Sequence, residues 1–72
     1  MSREEMIEKI KNISKKYAFD EMKQMNKEIK KIFGLNFVGC RPTGAMEWKY
    51  TIMDDENDAC YIYVDMWNGI VE

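Results

Sequence analysis

Histidine is absent from this 72-residue chain, and cysteine occurs only at Cys40 and Cys60. Without histidine the commonest metal ligand and general base is missing, and two thiols do not complete a four-ligand zinc site. A nucleophilic cysteine needs a base or a positive environment, and neither thiol sits in a motif that supplies one. The four glycines stand alone at 34, 39, 44 and 69, so no glycine-rich phosphate loop is present. Proline occurs once, at Pro42. No apolar run approaches the ~20 residues of a membrane span, and no signal peptide precedes the first helical segment. We therefore expect a cytoplasmic protein that is not an enzyme, with no catalytic residue, cofactor or metal site and no membrane contact.

What is present is an ordinary apolar fraction of 46% and a mixed-sign charged fraction of 33%. That balance suits a single small globular domain over residues 1–72, with a stability on the order of a few kcal/mol. Net charge is −2, but it is unevenly distributed. Residues 1–34 hold nine basic and six acidic side chains, and residues 35–72 hold two and seven. The molecule is expected to be electrically two-sided, which can steer a charged partner.

Ser2-Arg3-Glu4-Glu5 fits a capping box, with Ser2 accepting from the Glu5 amide and Glu5 reaching back to Ser2. Met6, Ile7, Ile10, Ile13 and Tyr17 then recur at helical spacing, and Glu5–Lys9 fits an i,i+4 ion pair. A second stripe runs Met22, Met25, Ile29, Ile32 and Phe33. Asp20 is its expected N-cap, and Gly34 the left-handed residue that ends it. Helices are expected at about 3–16 and 21–33, with one long helix kinked near residue 18 as the alternative.

From Leu35 the period changes to two. Strands are expected at about 35–41, 46–54 and 59–67, with a turn at Pro42-Thr43-Gly44-Ala45 and a stop at Asn68-Gly69. The fold class is α+β: two N-terminal helices packed on one face of a three-stranded antiparallel β-meander. Alternation suggests a register. Arg41 against Met46 would place Gly39 opposite Trp48, Phe37 opposite Tyr50 and Leu35 opposite Ile52. Asp54 against Asp58 would place Ile52 opposite Cys60, Tyr50 opposite Ile62 and Trp48 opposite Val64. Met46, Trp48, Tyr50, Ile52, Cys60, Ile62, Val64 and Met66 would then make the core. Cys40 would point outward and Cys60 inward, on strands that are not neighbours, which argues for two free thiols.

The opposite sheet face keeps Tyr61, Tyr63 and Trp67 where a solvated face should be mainly polar. Tyrosine and tryptophan are favoured at interaction hot spots. Next to them lie Asp65 and the acidic run Asp54, Asp55, Glu56 and Asp58. Asp54, Glu56, Asp58 and Asp65 also match four positions of a calcium loop, but Ala59 replaces the glycine that loop needs and strands flank it. Asp54, Asp55, Glu56, Asp58, Tyr61, Tyr63, Asp65 and Trp67 are thus the expected partner-binding residues.

These features suggest a stoichiometric protein-binding module that inhibits or regulates a larger protein with a basic surface, such as a nucleic-acid-binding protein. Composition rich in Lys, Ile and Asn, together with small size, resembles proteins of AT-rich bacteria and their phages. The concrete version is a phage or mobile-element inhibitor of a host nuclease or defence complex, of the anti-CRISPR kind. A small nucleic-acid-binding regulator using the lysine-rich helix faces is the alternative, less favoured because the whole chain is acidic. The 59–67 segment also reads as an unprotected sheet edge through which a homodimer could form.

Overall fold

The computed structural model describes residues 1–72. Two helices, α1 (Arg3–Ser14) and α2 (Met22–Phe33), precede four strands, β1 (Phe37–Gly44), β2 (Glu47–Met53), β3 (Ala59–Asp65) and β4 (Ile70–Val71). The strands form one antiparallel sheet in the order β1-β2-β3-β4. The architecture is therefore α+β with two N-terminal helices, as the sequence suggests, and the sheet has a fourth strand that the three-strand reading lacks.

Each helix contributes one apolar stripe. Met6, Ile10 and Ile13 of α1 meet Met25, Ile29 and Phe33 of α2 over Tyr50, Ile52, Ile62 and Val64 of the sheet. All ten are buried, and no buried polar side chain accompanies them. Ser2 caps α1 through its Oγ, which accepts from the Glu5 amide at 3.2 Å. The return bond differs from the expected box: the Glu5 carboxylate meets the Ser2 hydroxyl at 3.3 Å. Lys16–Glu28 links the helices at 3.3 Å, and the expected Glu5–Lys9 pair does not form.

The break between helices is real, but Asp20 does not cap the second one. Phe19–Glu21 form a 3-10 turn in which the Ala18 amide donates to Glu21 at 2.8 Å. The Glu21 carboxylate thus satisfies the free Ala18 amide, and α2 itself starts after Glu21 with no side-chain cap, where the sequence suggests Asp20. Gly34 ends α2 at positive φ as expected, but with φ 57° and ψ −127° it lies outside the left-handed helical region, in a conformation essentially reserved for glycine. The chain then makes a second 3-10 turn, Gly34–Asn36, which leaves Leu35 fully exposed rather than opposite Ile52. Ile32 is likewise turned outward instead of joining the core.

The second hairpin has the expected register: Ile52 opposes Cys60, Tyr50 opposes Ile62 and Trp48 opposes Val64. The first does not. Phe37 stands against Ile52, Gly39 against Thr51, Cys40 against Tyr50 and Pro42 against Trp48. Register shifts fall between Phe37 and Gly39 and between Pro42 and Gly44. Each inserts one extra residue, so strict alternation fails in β1. Both Phe37 and Cys40 consequently pack against the core. Cys40 therefore faces inward, contrary to the outward placement that alternation implies, and both thiols are free.

Gly39 does not make room for Trp48; a Cβ there would meet nothing within 4 Å. The indole instead packs beside Phe19, with ring centroids 6.5 Å apart. Strand β1 runs through Pro42 to Gly44, so the turn shrinks to Ala45-Met46, with Met46 rather than glycine at positive φ.

Candidate protein-binding face

Alternation in β2 and β3 sends Tyr50, Ile52, Ile62 and Val64 inward and leaves Lys49, Thr51, Tyr61 and Tyr63 outward. The helices cover only the inner face. No element lies over the outer one, because Ile70–Val71 extend the sheet in its own plane beside Val64 and Asp65. Tyr61 and Tyr63 are 48% and 46% exposed. Tyr61 is cross-strand from Thr51 and Tyr63 from Lys49. The Lys49 ammonium lies 4.9 Å from the Tyr61 ring centroid, a cation–π contact that steadies the ring. Arg41 pairs across from Lys49, so the middle of this face is basic.

The expected site residues do not form one cluster. Asp54, Asp55, Glu56 and Asp58 sit in the β2–β3 turn at one end of the strands. Trp67, the last residue of the expected 59–67 strand, sits instead in the β3–β4 turn at the other end, because β3 stops at Asp65. The seven residues of β3 place these turns roughly 20 Å apart. Tyr61 and Tyr63 lie between them. Asp65 is accordingly far from the acidic turn, and the four positions of the calcium pattern do not converge. No three His, Cys, Asp or Glu side chains come together in a metal-holding group.

Two carboxylates of the acidic turn are occupied internally. Asp54 Oδ1 accepts from the amides of Glu56 and Asp58, each at 2.9 Å, and Asn57 takes the positive φ the turn needs. The Met1 ammonium lies against the Asp55 carboxylate, whose hydrogen bond raises the ammonium pKa. Glu56 and Asp58 remain exposed and unpaired.

Asp65 organises the opposite turn. Its Oδ1 accepts from the amides of Trp67 at 3.0 Å and Asn68 at 3.1 Å, and its Oδ2 from the Asn68 side chain at 2.8 Å. The Asn68 bonds, foremost its side chain, hold the Asp65 pKa below its ordinary value. Gly69 completes the turn at φ 67°. Trp67 is thereby presented on an ordered turn, 77% exposed.

Beside it, Glu47 stands opposite Asp65, and Glu72 exchanges both backbone bonds with Tyr63, at 2.8 and 2.9 Å. Glu47, Asp65 and Glu72 line a recess of about 190 Å³ together with Tyr63, Thr43, Val64 and Ile70. Neither Glu47 nor Glu72 is among the residues expected from sequence. The signal was available: Asn-Gly followed by Ile70-Val71 is hairpin chemistry as well as a stop.

The thiols offer no activated nucleophile. Burial pushes the Cys40 pKa up, only partly opposed by the neighbouring Tyr50 hydroxyl. Tyr50 is itself raised, first by burial and then by Cys40, and its hydroxyl donates to Asn26 Oδ1 at 2.5 Å. Comparison of the chain with protein-family models, with curated proteins and with solved structures finds no match.

Proposed function

We propose that this chain is a non-catalytic protein-binding module that acts stoichiometrically, as inhibitor or regulator, on a larger protein with a basic surface. One observation carries the reading: the outer sheet face holds Tyr61 and Tyr63 in the open, continued at one end by Trp67 on an ordered turn. A rigid aromatic surface with acidic margins has the anatomy of a hot-spot region. Glu47, Asp65 and Glu72 supply the margin at the Trp67 end, and Glu56 and Asp58 supply it at the other. The acidic ends complement basic side chains bordering a groove, as on a nuclease or another nucleic-acid-binding protein, while Lys49 and Arg41 between them meet its hydrogen-bond acceptors; an inhibitor of a host defence complex is the concrete form of this role. No helix is long and apolar enough to cross a membrane, consistent with a partner met away from one.

Self-association through β3 is a narrower option than the sequence implies. Strand β4 and Glu72 occupy the edge along Tyr63–Asp65, and Arg3 Nη2 donates to the Tyr61 carbonyl at 3.1 Å. The test of the main reading is affinity capture from the native host with wild-type chain and with Tyr63→Ala plus Trp67→Ala. Loss of one captured protein, with unchanged thermal stability of the variant, supports the reading. Equal capture by both refutes it.

A further inference from the structure

A second surface lies on the other side of the sheet, in the groove between α2 and the free edge of β1. Its walls are Lys23, Lys27 and Lys30, and Phe37, Cys40 and Asn26 complete it, around a volume of about 390 Å³. The lysines are spaced i, i+4 and i+7, so three like charges share one helix face, an arrangement that costs rather than gains helix stability. No carboxylate pairs with any of them; the ion pairs of the molecule are Met1–Asp55 and Lys16–Glu28. Leu35, fully exposed, and Val38, 60% exposed, flank Phe37 in the chain and add apolar surface at this edge.

We propose that this groove is a docking site for an acidic, amphipathic segment of a partner protein, distinct from the aromatic sheet face. Charge complementarity selects the occupant. Three unpaired ammonium groups call for carboxylates, while Phe37 and Cys40 call for an apolar side chain between them. A nucleic-acid strand would satisfy the lysines, but Phe37 is the one aromatic ring of the groove and is half-buried against the core, where successive bases need a row of open rings. Backbone pairing contributes little. Pro42 offers no N–H at this edge, and the bulge at Val38 breaks the ladder, so side chains rather than an added strand make the contact.

The test uses the full chain and a fluorescein-labelled peptide alternating glutamate with leucine and phenylalanine. Its competitors are the same peptide with glutamine for glutamate and a single-stranded oligodeoxynucleotide. Lys23→Gln/Lys27→Gln/Lys30→Gln should weaken peptide binding about tenfold, the size expected of three exposed ion pairs. Lys9→Gln/Lys11→Gln/Lys15→Gln on α1, with the same charge change, should leave it within about twofold. Independently, saturating peptide should slow alkylation of Cys40 in a Cys60→Ser background. Absence of saturable binding, equal weakening by both triple variants, or unprotected Cys40 would overturn the proposal. Tighter binding of the oligonucleotide than of the peptide, lost in the first triple variant, would overturn it in favour of nucleic acid.

Discussion

At the scale of single residues, Tyr50 joins the two layers. Its ring fills the core and its hydroxyl reaches Asn26 of α2, with Cys40 alongside. Its folded-state pKa lies above the ordinary value of 10.0, so the unfolded chain loses this proton first. The stabilisation is therefore complete below that pH and declines as pH rises past it. Tyr50→Phe should cost about 1 kcal/mol at neutral pH, through the lost hydrogen bond to Asn26. It should also flatten the loss of stability between neutral and strongly alkaline pH, and denaturant melts across that range would show both effects. Two glycines should respond in opposite ways. Gly34→Ala should destabilise by about 1–2 kcal/mol, because open space does not relieve its positive φ. Gly39→Thr, at an ordinary φ with open space above it, should stabilise by about 0.5–1 kcal/mol. The sequence placed Gly34 well, since a glycine after a helical stripe has one common use. It misplaced Gly39, since a strand glycine has several.

At the scale of elements, legibility follows how strictly a period is kept. Both helices and the β2–β3 register follow from uninterrupted stripes, and the structure has them almost as read. Strand β1 carries two bulges, and a bulge is invisible to any argument from alternation, so Cys40 and the Ala45-Met46 turn depart from the expected register, while Leu35 departs because the Gly34–Asn36 3-10 turn precedes the strand. Strand β4 was missed because two residues are too short to show a period, although Asn68-Gly69 marked the turn. That turn depends on Asp65, whose carboxylate holds two amides and the Asn68 side chain. Asp65→Ala should loosen β4 selectively. Amide exchange at Tyr63 and Glu72 should quicken by far more than exchange in β2, while the helices keep their protection. Because the folded-state pKa of Asp65 is depressed, the wild-type turn should loosen as pH falls through that lowered pKa, and be intact above the ordinary carboxylate value.

At the scale of the whole molecule, the charge division seen in the sequence becomes two surfaces separated by the sheet. Carboxylates gather at the two ends of the aromatic outer face, with Lys49 and Arg41 between them, and unpaired lysines line the groove at the α2–β1 edge. The outward placement of Tyr61 and Tyr63 is legible because β3 keeps its alternation, whereas Trp67 is exposed by the turn that follows the strand. The sequence did not show that Trp67 and the acidic turn lie at opposite ends, which only the strand boundaries reveal. Both sheet edges are guarded, one by Pro42 and bulges, the other by β4 and Arg3. Sedimentation should therefore find a monomer, and Arg3→Ala, by freeing the Tyr61 carbonyl, should promote concentration-dependent association. The central claim is that the outer face binds a protein. Its most direct measurement is the dissociation constant of the purified captured partner for wild-type chain and for Tyr61→Ala/Tyr63→Ala, with both chains equally folded. A weakening of about a hundredfold or more is expected if these are hot-spot side chains. Affinities within about twofold of each other would contradict the account, since changes that small mark contacts outside a hot spot.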